Sequence, residues 1–459
     1  MKKWSYTLIA VLIFVSGYFI VTNSKEQSGA NSSPNLEPSY GGTLVIGITR
    51  DVDTFNPLYS ESVFAQEITH LMMLGLADLN EKSEFQPELA EYWERSEDYL
   101  SLTYHLKKDA VWADGVPVTA EDVKFTFDLL MDTVVASPRR DITEFIQKVS
   151  VLDSHTVKFE FSQPYPYQIF DTAGEILPKH LLENADRSAL RSHKIGQSPL
   201  SSGPFKLKKW KRQQYIELVP NENYIGGRPY LDRVIFKIIP NETNLLTQLR
   251  TGEIDMMIGV PPSEVRRLKN VNPGIKIYPV SGRVYYYTSY NMALAKFADK
   301  NVRRALTLAI DRQRIIDALL YGYGEVCVGH IPPMLEWAHN EEIQPLPYDQ
   351  QHARALLAEA GWEDSDGDGW LEQNGRDFEF TLKTDASNQI KSDVAVIIQD
   401  QLKQIGVRVK LQLVEWTTLL DHLRERKFEA YIGGWSTSLF IDPTPIFHSS
   451  ATELFNHNS

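Results

Sequence analysis

Apolar residues recur along the chain at two periods, and their order lays out alternating strands and helices. Leu100, Leu102, Tyr104 and Leu106 alternate with Ser101, Thr103, His105 and Lys107, the period-two signature of a strand with one dry face. Val157-Lys158-Phe159-Glu160-Phe161 repeats it. Thr43 to Ile48, bounded by Gly41-Gly42, reads as a buried strand. Val234 to Ile239 shows little alternation and predicts a strand covered on both faces. Thr119-Ala120-Glu121-Asp122 has the hydroxyl-then-carboxylate spacing of a capping box, and Val123, Phe127 and Leu130 mark the face of the helix it starts. Leu245, Leu246 and Leu249 predict a short helix stopped by Gly252, with Ile254 to Ile258 returning as a strand. Val302, Ala305, Leu306, Ala309, Ile310, Ile316 and Leu319 predict one long helix ending near Gly322. A helix over Val394 to Ile405, broken at Gly406, precedes a strand carrying Val407, Val409, Leu411 and Leu413. The expectation is a mixed α/β chain with more than one sheet.

Composition narrows the class. The chain has 459 residues, 42% hydrophobic, 23% charged and 11% aromatic. That is a folded globular chain of about three domains. With 47 Lys+Arg against 60 Asp+Glu the net charge is −13, which argues against nucleic acid as a partner, because phosphate contacts need a basic excess. The single cysteine, Cys327, excludes an internal disulfide and multi-cysteine metal sites, and with no base nearby in sequence it is expected to be a buried structural thiol.

Lys2 and Lys3 precede an uncharged, largely apolar run from Trp4 to Val21. This layout suits a cleaved export signal, with a weak small-residue site at Ser28-Gly29-Ala30, or an uncleaved anchor held positive-inside. Either reading puts the bulk of the chain outside the cytoplasm, in the periplasm or on the outer face of the cytoplasmic membrane, tethered there by the apolar run if it is not cleaved. No cysteine follows the run, so a lipoprotein anchor is excluded. The Ser-, Asn- and Pro-containing stretch after it reads as a flexible tether.

Catalytic signatures are missing: there is no phosphate-binding loop, no His-Glu-x-x-His and no Gly-x-Ser-x-Gly. No enzyme and no cofactor are expected. Asp364-Ser365-Asp366-Gly367-Asp368-Gly369 copies the start of a calcium loop, but the twelfth position is Gly375 and Glu372 falls at the ninth. A structural turn explains the same residues, leaving Asp364, Asp366 and Asp368 a weak calcium candidate. Tyr285-Tyr286-Tyr287 in a strand, followed by Asn291, must turn at least one ring away from the core. Gly433-Gly434-Trp435-Ser436-Thr437-Ser438 reads as a loop with a Trp beside small hydroxyl residues. Aromatic walls with a few placed polar groups suit a ligand pocket; simple core filling is the rival reading.

Several ordered motifs then carry a resemblance. Phe85-Gln86-Pro87-Glu88-Leu89-Ala90-Glu91-Tyr92-Trp93, the run Thr103 to Gly115, and Thr119 to Val123 resemble the signature block of the family 5 extracellular solute-binding proteins, the peptide- and nickel-binding receptors of ABC importers. Ser202-Gly203-Pro204-Phe205, Asn223 to Pro229, Gly252-Glu253-Ile254-Asp255 and Asn301 to Leu306 with Ala309 to Arg312 are similar to further family blocks.

The resemblance implies an α/β, periplasmic-binding-protein-like two-lobed fold (type II, cluster C-like) with an extra domain. Residues 1–22 would be the signal or anchor and 23–40 the tether. Domain I would be discontinuous, over 41–77 and 200–279, with 78–199 as domain II and 280–459 as domain III. Turn clusters near Ser201 and Pro279 suit those crossings. The family runs on past the point where this chain stops, so the final return to domain I is expected to be missing. The implied function is an ABC importer's binding component that takes extended peptides in a cleft between its lobes, as a monomer, and delivers them to membrane permease subunits. A nickel chelate, an oligosaccharide or a membrane-anchored non-transport role are the alternatives. The expected ligand-binding residues are Tyr285, Tyr286, Tyr287, Asn291, Trp435, Ser436, Thr437, Ser438 and Asp442. Related dipeptide receptors hold the ligand's amino terminus with an Asp shortly after the Gly-Trp pair. Here no carboxylate follows until Asp442, which either takes that role or leaves the amine unanchored.

Overall fold

A computed structural model describes residues 38–271, 274–437, 441 and 447, and the backbone of 20–23. Two compact units make up the chain. The first runs to Val260 and takes in Arg267–Val280; the second has Pro261–Arg266 and the residues from Ser281 on.

The first unit holds two larger sheets among the described residues. One has seven strands in the order Ile275–Tyr278, Ile20–Asn23, Met256–Ile258, Thr43–Ile48, Arg233–Ile238, Tyr215–Pro220, Phe205–Lys211. Thr43–Ile48 runs parallel to both Arg233–Ile238 and Met256–Ile258. The helix Glu242–Thr251 lies so close to this sheet that a Cβ at Gly47 would stand 2.3 Å from Leu245 Cδ1 and force that side chain to shift. Gly252 ends the helix at φ +74°, in the left-handed region that glycine enters without strain. The expectation of a strand covered on both faces near Val234 is corrected. Val234, Phe236 and Ile238 are buried, while Ile235 and Lys237 are half-exposed, because this sheet buries one face against its core and leaves the other partly wet.

The second sheet of this unit is antiparallel, ordered Ala90–Arg95, Ser101–Leu106, Thr156–Phe161, Ile146–Asp153. The helix Ala120–Met131 covers it, and the Thr119–Asp122 capping box forms as the sequence indicates. Trp112, Tyr104, Phe127 and Phe159 are fully buried in its core, each worth roughly 1.5–3 kcal/mol or more of apolar burial.

Ile20–Asn23, which closes the N-terminal apolar run, is a strand antiparallel to both Met256–Ile258 and Ile275–Tyr278. Residues 1–19 and 24–37, where the export signal or anchor and most of the tether were placed, lie outside the described residues. Among the described residues no helix is long and apolar enough to cross a membrane.

The second unit is a four-stranded sheet, ordered Val284–Tyr290, Ala430–Ser436, Glu379–Asp385, Arg408–Val414. Helices Lys300–Leu308, Gln350–Glu359 and Gln389–Lys403 contribute to its core around Phe297, Phe378 and Phe380. The single long helix expected from Val302 to Leu319 is two helices, Lys300–Leu308 and Arg312–Leu319. Asp311 divides them: its carboxylate accepts from the Arg314 amide at 2.9 Å as a new N-cap. The stretch expected as a loop at Gly433 is also corrected, since Ala430–Ser436 is a strand paired along Val284–Tyr290. Its two glycines lie under rings of the paired strand, Gly433 tightly under Tyr287 and Gly434 more loosely under Tyr286, and mark no turn. Cys327 is exposed rather than buried. It lies in an irregular segment between Gly324 and Gly329, although desolvation and the Glu325 charge still push its thiol pKa up.

Candidate ligand-binding site

Three strands of the second unit's sheet, Glu379–Asp385, Arg408–Val414 and Ala430–Ser436, run parallel and finish on one edge. The antiparallel strand Val284–Tyr290 begins on that edge, with Val284 opposite Ser436. Open α/β sheets place ligands outside the carboxyl ends of their parallel strands, because the loops there are free of the core and helix N-termini converge on them. Two helices start at this edge. Gln389–Lys403 is capped by Asn388, which accepts from the Lys391 amide at 3.0 Å, and Trp416–Arg424 by Glu415, which accepts from Thr418 at 3.1 Å.

The three consecutive tyrosines divide between the sheet faces as strand geometry demands. Tyr285 and Tyr287 share one face, their ring centroids 5.7 Å apart. Tyr287 packs with Tyr431, Leu419 and Leu423, and its hydroxyl meets that of Tyr431 at 3.3 Å. Burial and the neighbouring Tyr431 push its pKa far up. Burial, with the nearby Cys327 and Tyr431, pushes Tyr285 up to about 12, and its hydroxyl has no hydrogen-bond partner among the described residues. Tyr286 occupies the other face and is 38% exposed.

Of the remaining expected residues, Trp435 is half-buried opposite Tyr285 and Ser436 is exposed opposite Val284. Thr437 is buried and engaged: its amide donates to the Arg283 carbonyl at 2.9 Å and its hydroxyl to the His330 carbonyl at 2.5 Å. Asn291 follows the far end of the strand. Its amide group donates to Phe428 O at 3.0 Å and its Oδ1 accepts from Ala293 at 3.1 Å. The structure therefore sets Tyr285 and Trp435 side by side on one face, Tyr286 on the other and Ser436 and Thr437 at the strand end, while Tyr287 packs into the small core of Tyr431 and Leu419 and Asn291 stands apart. Ser438 and Asp442 lie outside the described residues.

Sequence reasoning missed Lys391 and Trp416. Trp416 opens its helix and is 40% exposed, with Lys391 Nζ 5.4 Å from its ring centroid. Burial pulls the Lys391 pKa down, with Asp385 opposing the shift. Neither residue carries a motif; only the meeting of two helix starts at one sheet edge shows them.

The calcium-like turn is built of its own backbone contacts. Asp364 accepts from Gly367 at 2.8 Å and Gly369 at 3.0 Å, Asp366 from Asp368 at 3.1 Å, and Asp368 from Trp370 at 2.9 Å. The carboxylates whose oxygens converge are Asp364, Asp366 and Glu372, mutually within 4.8 Å, so the third is Glu372 where the motif has Asp368. These side chains are solvated or half-solvated.

A family model for the bacterial extracellular solute-binding proteins, family 5, matches residues 84–456. The chain belongs to that family. It is 34% identical over 460 residues to the oligopeptide-binding protein AppA of Bacillus subtilis (strain 168), an alignment covering 98% of this chain and 84% of the relative. The solved structure of the Bacillus subtilis AppA in complex with a nonapeptide is 35% identical with a TM-score of 0.60, over 92% of this chain and 84% of that one. NikZ from Campylobacter jejuni in complex with Ni(L-His) is 28% identical with a TM-score of 0.63, over 91% and 82%. The α/β architecture of this family 5 chain is thus the architecture of solved solute-binding proteins.

Proposed function

We propose that this family 5 protein is the substrate-binding component of an ABC importer and that it captures peptides outside the cytoplasm without chemically altering them. The observation that carries this reading is near-full-length similarity to an oligopeptide-binding protein, 34% identical over 98% of the chain. The sheet edge of the second unit supplies fitting chemistry. Among the described residues Val284–Tyr290 is the outer strand of its sheet, and an outer strand can offer main-chain donors and acceptors to an extended peptide irrespective of sequence. Tyr285, Tyr286, Trp435 and Trp416 add apolar contact area, and Ser436 a hydroxyl. Export through the N-terminal apolar run, the division into domain I (41–77 and 200–279), domain II (78–199) and domain III (280–459), a monomeric state and delivery to membrane permease subunits complete the proposal.

A nickel chelate is the second reading, favoured by the likeness to NikZ in complex with Ni(L-His). Mass spectrometry of whatever is released from the natively purified, never-unfolded protein separates the two. Peptides of mixed sequence are expected. Recovery of only a metal chelate or a sugar overturns the peptide reading, and cleavage of an added peptide overturns binding without chemistry.

A further inference from the structure

The seven-stranded sheet of the first unit ends, among the described residues, on an edge strand crowded with cations. Phe205–Lys211 reads Phe-Lys-Leu-Lys-Lys-Trp-Lys, and Arg212 follows it. No Asp or Glu occurs from Arg187 to Ile216, in a chain whose net charge is −13. A bulge decides where the lysines point. The register against Tyr215–Pro220 shifts between Glu217 and Leu218, which face Lys209 and Leu207, so Lys208 is the extra residue. Phe205, Leu207 and Trp210 turn to the core. Lys206, Lys209 and Lys211 take the outer face, with Lys208 at the kink. Lys208, Lys209 and Lys211 are exposed and Lys206 is half-buried.

The carboxylates nearby are engaged elsewhere. Glu217 lies 3.7 Å from Arg233, and Glu253 3.7 Å from Lys237. Asp51 accepts from Trp210 Nε1 at 2.9 Å and from the Gln213 amide at 2.7 Å, and Asp53 from the Glu61 amide at 3.0 Å. Arg212 is held too, its guanidinium 3.5 Å from the Trp210 ring centroid and donating to the Val52 carbonyl at 3.1 Å. Among the described residues none of the four lysines has an ion-pair partner; Lys209 Nζ rests 5.9 Å from the Tyr215 ring centroid. Lysines on an edge strand deter pairing with another chain, but the bulge already spoils this edge as a template, so four of them exceed that need.

We propose that this strand face rests on the anionic headgroups of a membrane. The inference goes beyond peptide capture and holds whatever the second unit binds. From Lys206 to Lys211 the row spans about 17 Å. Compact ammonium groups on flexible stems suit a mobile plane of phosphates, whereas a fixed carboxylate partner is met best by the planar fork of arginine, and the arginine here is turned onto Trp210. Each lysine close to an anionic surface adds about fivefold to binding.

Co-sedimentation of the full chain at low salt tests it, with vesicles of phosphatidylcholine alone and of phosphatidylcholine and phosphatidylglycerol in equal parts. Lys2 and Lys3 are the same in every variant, so the decisive quantity is how the ratio of anionic to neutral binding changes between variants. Lys206→Gln, Lys208→Gln, Lys209→Gln and Lys211→Gln together are expected to cut that ratio about tenfold or more. A control of equal net charge, with the exposed Lys108, Lys269, Lys300 and Lys403 changed to Gln, should keep the wild-type ratio. A ratio that the first variant retains, or that both variants lose alike, overturns the proposal. If the first variant fails to fold, acetylation of the wild type by acetic anhydride decides. Anionic vesicles should protect Lys206, Lys208, Lys209 and Lys211 about threefold or more over the four control lysines; equal protection overturns the proposal. Retention of the wild type but not of the first variant on immobilised poly-glutamate, with no preference for anionic vesicles, assigns the face to an acidic protein and overturns the lipid reading.

Discussion

The ring of Tyr286 lies across Gly434, its partner in the strand ladder: a Cβ at Gly434 would stand 3.0 Å from Cδ1 and 3.1 Å from Cε1 of that ring. The neighbouring pair is tighter, a Cβ at Gly433 coming within 2.4 Å of Tyr287 Cζ. The two glycines therefore do different work. Gly434 shapes an exposed rim, whereas Gly433 admits a ring into the small core around Tyr431 and Leu419.

Gly433→Ala should overpack that core and lower stability by roughly 1–3 kcal/mol. Gly434→Val should cost less, because Tyr286 and Lys391 can swing outward, and should instead weaken peptide binding about tenfold. Urea unfolding and calorimetric titration of both variants check the split. Equal losses of stability would show that the two faces are not distinct.

Trp416→Ala should leave stability within about 0.5 kcal/mol, the usual range for an exposed substitution, while reducing affinity for peptides with a bulky apolar residue. Unchanged affinity across a peptide panel would remove Trp416 from the site.

Asp311→Ala should cost about 1 kcal/mol, since it removes the carboxylate that accepts from the Arg314 amide at 2.9 Å and separates two helices. Asp311→Asn should restore most of it. Thermal unfolding of the two variants gives the answer.

Stability should fall as pH rises, through a charge cluster in the first unit. His70 Nε2 stands 3.4 Å from Asp78 and its Nδ1 3.9 Å from Glu175, while Glu88 accepts from the Gly75 amide at 2.7 Å. Desolvation pulls His70 down, but the Asp78 hydrogen bond and the charges of Glu88, Asp78 and Glu175 outweigh it and hold the imidazole up at about 10. Burial pushes Glu88 up to about 7 against the pull of His70. Both groups bind their proton more tightly folded than unfolded, from ordinary values of 4.5 and 6.5. The Glu88 contribution is therefore complete below pH 4.5 and lost as pH climbs to about 7, and that of His70 is lost between 6.5 and about 10. Urea midpoints across pH should show this decline, and Glu88→Gln should flatten its lower half. A slope unaltered by that substitution would contradict the assignment.

Much of this architecture was legible in the chain because local chemistry and tertiary context agree. Leu102, Tyr104 and Leu106 are buried on alternate positions of their strand, while Leu100, the first of that alternation, lies exposed just before it, and Thr119 caps the helix it precedes. The misreadings share a cause. Between Val302 and Leu319 the apolar spacing continues across the break, and periodicity outvoted the Asp311 cap. Gly433-Gly434 looks like a loop until the Tyr286 and Tyr287 rings that need those glycines are set opposite. Val284–Tyr290 and the Trp435 neighbourhood stand out as candidates from their aromatics alone. Lys391 was not, since a lysine in a first turn reads as solvated until tertiary structure buries it.

Hydrogen–deuterium exchange of the full chain, with and without a saturating mixed nonapeptide library, tests the central claim most directly. Capture at the carboxyl edge of the second unit's sheet should slow amide exchange in Val284–Tyr290, in Ala430–Ser436 and at the helix starts around Lys391 and Trp416. A library that binds while all four segments exchange at their free rates would contradict the account.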